Sequence, residues 1–162
     1  MESPLIVETP RYQHLFDLRR AIAGRPHAAL WIDYGYVWDA DGQPPTGETL
    51  QAVRNHRPEH PLTSPGEADL TAHVDFTTLA GAFNCPMAEG FAACAIDGPV
   101  PQANFLGALG IMQRAARLMA ANPAKAHEIE MGVARLMAVP GMGDRFKVLA
   151  IRSPDVPPLP GF

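Results

Sequence analysis

The 162-residue chain is 47% hydrophobic, 19% charged and 7% aromatic, which sustains one ordinary core and excludes long disordered runs. Its 13 Lys and Arg against 17 Asp and Glu give a net charge of −4, unlike the strongly basic footprint of a nucleic-acid-binding domain. The 17 prolines, about 10% of the chain against a usual ~5%, demand many turns and argue against a simple helical bundle.

Thr9-Pro10 opens a helix, the threonine as N-cap and the proline at the first helical position, where a missing N–H costs nothing. Leu15, Phe16, Leu18 and Ile22 give it an apolar face, and Gly24 with Pro26 stops it. Ala28-Ala29-Leu30-Trp31-Ile32 is a short apolar run that reads as a buried strand over 28–33, ending in Asp33-Tyr34-Gly35. A helix followed by a buried strand predicts an α/β layer architecture. Residues 36–70, rich in Pro and Gly, read as one long loop, and loops of that length are usually functional. Asp75 then caps a helix carrying Phe76, Leu79, Ala80 and Phe83 at i, i+3, i+4 and i+7.

Phe91 to Ile96 is the second expected strand, closed by Gly98-Pro99. A helical pattern covers 102–138, with Gly107 and Gly110 weakening it and Asn122-Pro123 starting a new helix. The third expected strand spans 145–151, and the proline-rich tail 153–162 should be extended.

Asp33 stands at the carboxyl end of a strand, where ligands of open α/β sheets bind, and Gly35 allows a sharp turn after it. Alternatively, Asp33 only satisfies the following loop. The run from Gly66 to Phe76 gathers Glu67, Asp69, Asp75, Thr71 and His73, and carboxylates beside a histidine can orient it for proton transfer. Equally, Asp75 can serve as a cap, and Asp69 and Thr71 can hold a turn. His56 and His60 have the spacing of a helical zinc pair, but Pro58 between them breaks such a helix, so no metal is expected. Cys85 and Cys94 are too few for a disulfide framework and read as small apolar residues. The start lacks a secretory signal, and no window approaches the ~18 apolar residues of a membrane span, which points to a cytoplasmic protein. No Gly-rich phosphate or dinucleotide loop and no Gly-x-Ser-x-Gly occurs.

Trp31-Ile32-Asp33-Tyr34-Gly35, Gly47 to Arg54, Pro65 to Phe76, Gly98 to Gln102, Phe105 to Ile111 and Met142 to Val148 occur in that order. Together they resemble the MidA family of class I S-adenosylmethionine-dependent methyltransferases, whose mitochondrial members methylate an arginine on a complex I subunit during assembly. The resemblance spans nearly the whole chain but matches only the family's C-terminal half. It implies the last three strands of a Rossmann-like fold, at 28–33, 91–96 and 145–151, the last running antiparallel between the other two. Residues 1–152 would then be the C-terminal portion of a methyltransferase domain. The Gly-rich cofactor half would lie outside this chain, so that no residue here binds S-adenosylmethionine and the chain alone is inactive. On that reading Asp33, Asp69, His73 and Asp75 hold or deprotonate a cationic guanidinium, with Tyr34, Gly35, Thr71 and Gln102 on the substrate side. Tyr36 and Pro101 stand where the family has histidine and threonine. The implied partners are a protein substrate such as a complex I subunit, and either a second copy or a chain supplying the missing half. The alternative is a non-catalytic module that dimerises through the unpaired edge of strand 28–33.

Overall fold

The structure, a computed structural model, describes residues 13–44, 49–84, 91 and 93–162. Helix α1 (Gln13–Ala21) leads through Gly24, at φ +71°, into strand β1 (Ala28–Tyr36). The expected Thr9-Pro10 start of α1 lies outside the described residues, as do Gly47 and Cys85. A small antiparallel sheet follows, made of β2 (Gln51–Arg54), β3 (Arg57–Glu59) and β4 (Asp69–Thr71) in the order β3-β2-β4. Stretch 36–70 is therefore more than the loop expected of it. Asn55 and His56, both at positive φ, turn the chain between β2 and β3 as a two-residue hairpin requires.

Strand β5 (Val74–Asp75) and helix α2 (Phe76–Asn84) come next, then β6 (Ala95–Pro101). The expected strand at 91–96 thus begins four residues later and runs through Gly98-Pro99 instead of stopping there. The physical reason is position. Among the described residues β6 pairs with a neighbour on one side only, and the ladder is irregular between Asp97 and Val100, so a proline without an N–H is tolerated at that edge.

The helical stretch divides at Gly110, whose φ of +81° ends α3 (Gln102–Ala108) and starts α4 (Ile111–Ala121). Asn122-Pro123 does open a new turn, a short 3-10 segment Pro123–Lys125 leading into α5 (Ala126–Met137). A one-turn helix α6 (Met142–Arg145) precedes the last strand β7 (Phe146–Arg152).

The main sheet has the order β5-β1-β7-β6. β7 is antiparallel to both β1 and β6, in register from Ala28 opposite Arg152 to Tyr34 opposite Phe146, so it lies between them as expected. Because β7 is flanked on both edges, its Val148, Leu149, Ala150 and Ile151 are wholly buried, and they form the core with Phe76 and Phe83 of α2. Each of the larger side chains among them contributes roughly 2 kcal/mol by leaving water. Trp31 of β1 packs on Phe83, ring centroids 5.3 Å apart, which fastens α2 to the sheet.

The other edge of β1 is paired only at its end, where Gly35 and Tyr36 lie parallel to Val74 and Asp75. Along 28–34 the described residues put no strand there, and Leu30 and Ile32 are 46% and 49% exposed. The tail packs back on the sheet. Arg152 and Asp97 form an ion pair at 2.9 Å, and Asp97 also accepts the Leu159 N–H. The Phe162 ring rests on Phe105 at 5.3 Å.

Candidate functional site

At the carboxyl end of β1 the main sheet gains the short parallel strand β5, which follows the small sheet in the chain. Tyr34 is the centre of that corner. Its ring meets the His73 imidazole edge-on at 5.6 Å on one side and the Phe146 ring at 5.9 Å on the other. Both contacts follow from pairing: Tyr34 lies opposite Phe146 across the β1–β7 ladder, and His73 immediately precedes β5, which runs beside Gly35. Tyr34 and His73 are half-buried, each with part of its surface open.

Asp33 is exposed at the same end. One carboxylate oxygen accepts the N–H of Tyr34 at 2.8 Å, which holds the side chain beside the ring, and among the described residues the other oxygen is uncommitted. Across the ladder Asp33 faces Lys147, whose ammonium donates to the Asp144 carbonyl. Gly35 supplies close approach rather than a binding surface. A Cβ there would collide with the Val74 carbonyl and sit 2.8 Å from the Phe76 ring.

Asp75 is fully engaged. It accepts the Thr78 N–H at 2.9 Å and the Thr78 hydroxyl at 2.6 Å as the N-cap of α2. It also accepts the Trp38 indole N–H at 3.0 Å. The Trp38 backbone N–H donates to Thr77 Oγ1 at 2.8 Å, so this tryptophan pins the chain after β1 onto the start of α2. Trp38, Thr77, Thr78 and Phe146 were not singled out from sequence. Trp38 sits in a loop without periodicity, and only a three-dimensional neighbour gives its indole N–H a partner.

Asp69 and Thr71 lie on β4, opposite Val53 and Gln51, with Asp69 exposed and Thr71 half-buried. They share the short segment that leads to His73. Gln102 does not join this corner's polar groups. It is 6% exposed, and its amide N–H donates to the carbonyls of Leu136 at 2.9 Å and Met142 at 3.5 Å, tying α3 to α5 and α6.

Chemically, the corner offers one carboxylate with a free oxygen, a half-exposed imidazole and an aromatic face. That set suits a planar cation and a proton to be removed from it. Among the described residues no group of three or more His, Cys, Asp or Glu is placed to hold a metal ion, and no helix is long and apolar enough to cross a membrane.

Residues 4–88 match a family model described as "Putative S-adenosyl-L-methionine-dependent methyltransferase". The rat protein arginine methyltransferase NDUFAF7, mitochondrial, is 37% identical over 137 residues, covering 83% of this chain and 28% of its own length. Its human counterpart is 34% identical over the same shares, and a homologue from Drosophila melanogaster is 35% identical over 76% of the chain. The chain therefore spans under a third of the length of these relatives. All three bear the word mitochondrial in their names, which overturns the cytoplasmic location expected above. A missing secretory signal bears on one export route alone and says nothing of organelles.

Two solved structures from Burkholderia thailandensis share the fold. One, an uncharacterised superfamily protein, has a TM-score of 0.67 at 25% identity, over 86% of this chain and 37% of its own. The other, bound to S-adenosyl-homocysteine, has a TM-score of 0.59 at 27% identity, over 77% of this chain and 31% of its own.

Proposed function

Because the chain belongs to the MidA-type family of S-adenosyl-L-methionine-dependent methyltransferases, we propose that it forms the substrate-side part of a protein arginine methyltransferase. The observation that carries this reading is the polar corner at the carboxyl end of β1. Asp33 presents an uncommitted carboxylate oxygen beside Tyr34, whose ring is braced by His73 and Phe146. A guanidinium held by Asp33 and stacked near Tyr34 has one nitrogen within the reach of a base. His73 is the group for that proton, with Asp69 and Thr71 on the approach to it. Asp75 takes a different role. With three donors on its two oxygens it fixes the start of α2 and the position of His73 two residues earlier. Gln102 and Gly35 shape the scaffold.

The protein substrate, with a complex I subunit as the case implied by the family resemblance, belongs to the same reading. So does the assignment of the cofactor cradle to sequence outside these 162 residues, which contain no Gly-rich phosphate or dinucleotide loop. Calorimetric titration of this chain with S-adenosylmethionine should give no detectable binding, and micromolar affinity would sink that assignment. In a longer protein that carries this segment and binds the cofactor, Asp33→Asn and His73→Ala should each slow methyl transfer to an arginine-bearing protein about 100-fold. Cofactor affinity should stay unchanged. Full transfer rates in both variants would remove the corner from the chemistry.

A further inference from the structure

The small sheet β3-β2-β4 has two outer edges, and they are unlike. On the β3 edge Arg57 and Pro58 stand exposed, a charge and a residue without an N–H, which are devices that keep another strand away. The β4 edge carries neither, for no Pro, Lys or Arg occurs from Asp69 to Asp75. Among the described residues β4 pairs with β2 on one side only, so the backbone groups of its other side have no partner strand. Leu70 in the middle of β4 is 59% exposed.

Two observations bear on what this edge receives. The first is charge. Between Arg57 and Arg114 the chain has no Lys or Arg, while Glu67 and Asp69 stand exposed just before and on β4. Glu67 is paired with Arg54, and among the described residues Asp69 has no ion pair. A cationic segment complements that field and an anionic one is repelled by it. The second is direction. β4 ends at Thr71, His73 follows two residues later against the Tyr34 ring, and β5 then runs beside Gly35 and Tyr36. A polypeptide laid along β4 therefore reaches the corner within about four residues, at ~3.3 Å each.

We propose that the open edge of β4 is the docking strand for an extended, basic segment of the protein substrate. The segment joins the small sheet as its fourth strand and carries a nearby arginine into the corner of Asp33, Tyr34 and His73. This deepens the arginine methyltransferase reading and rests on it. Backbone hydrogen bonds to β4 set the register without demanding a sequence, while Asp69 and Leu70, on opposite faces, select a basic and an apolar side chain. A strand of three residues offers few such bonds, so it positions the substrate and the corner supplies the remaining affinity.

The test uses a longer protein that carries this segment and binds the cofactor, with a synthetic peptide holding one arginine beside a Lys-rich extended segment as the probe. Two further peptides keep the same side chains but carry N-methylated backbone amides at alternate residues of that segment, one in the odd register and one in the even. The unmodified peptide should slow hydrogen exchange of the outward amides in 69–71 about 10-fold. One N-methylated peptide, and only one, should lose that protection and show a KM raised about 10-fold at unchanged kcat, because alternate residues of a strand face its neighbour. A peptide with Glu in place of Lys should bind at least about 10-fold more weakly. Equal behaviour of the two N-methylated peptides overturns the docking strand, and equal binding of the Glu peptide overturns its basic occupant. Methyl transfer without protection of 69–71 overturns the docking strand and spares the methyltransferase reading. Protection without methyl transfer does the reverse.

Discussion

Single residues at the carboxyl end of β1 divide into those that hold the corner and those that face outward. Gly35 holds it. An added methyl group has nowhere to go between the Val74 carbonyl and the Phe76 ring, both part of packed elements. Gly35→Ala should therefore destabilise the fold by about 3 kcal/mol, read as a lowered midpoint in urea, and a neutral result would mean that β5 is free to move away. Asp33, in contrast, is exposed and satisfies only its neighbour's N–H, so its replacement should leave stability nearly unchanged. The capping role of Asp75 was legible in the sequence, because an aspartate before an apolar 3.6-residue pattern has few other uses. Its third donor was not, since the Trp38 indole arrives from 37 positions away.

Secondary elements were legible where apolar runs marked them. β1 and β7 follow from the apolar runs Ala28 to Ile32 and Val148 to Ile151, but only β7 is buried; β1, expected as a buried strand, has no fully buried residue because its outer edge is largely uncovered among the described residues. The small sheet left no such trace. Gln51-Ala52-Val53-Arg54 and Arg57-Pro58-Glu59 are short and largely polar, and they become strands only because the Asn55-His56 turn and β4 pair them. Gly98-Pro99 marks an end in the sequence, whereas the edge position of β6 lets the strand continue through it.

The tail depends on one charged contact between elements. Arg152 on β7 grips Asp97 on β6, their side chains 12% and 10% exposed, and donates to the Val156 carbonyl as well. The Arg152 hydrogen bond holds the Asp97 carboxyl below its ordinary 3.8, although burial opposes it. A depressed folded pKa means that the pair's stabilisation is present above pH 3.8 and fades as pH falls through the lower folded value. Asp97→Asn should thus cost about 2 kcal/mol at pH 7 and much less in strong acid. Equal losses at both pH values would disprove the linkage.

The molecule as a whole is asymmetric. One side of its sheet ends in β6, covered by the returning tail, while the other leaves β1 unpaired along 28–34 among the described residues, with Leu30 and Ile32 in the open. No charge or proline interrupts Ala28 to Ile32, the devices by which edges normally resist pairing. The isolated chain should therefore self-associate in sedimentation measurements. Ile32→Lys should shift it toward monomer without lowering its melting temperature, and a wild-type chain that sediments as a monomer at high concentration would refute this.

The position of β7 has a consequence for how the chain is made. It is the last strand in sequence, yet it occupies the middle of the main sheet, with β1 and β6 as its two neighbours. During vectorial synthesis, among the described residues, β1 has only its short pairing with β5 and β6 has no partner strand until residues 146–152 leave the ribosome, more than a hundred positions after β1. Until then the apolar faces that will meet Leu149 and Ile151 stay open to solvent and to one another. Joining of β1 and β6 into one sheet therefore waits for residues 146–152, and a nascent chain stalled before Phe146 would present unfilled strand edges to any chaperone at the exit tunnel.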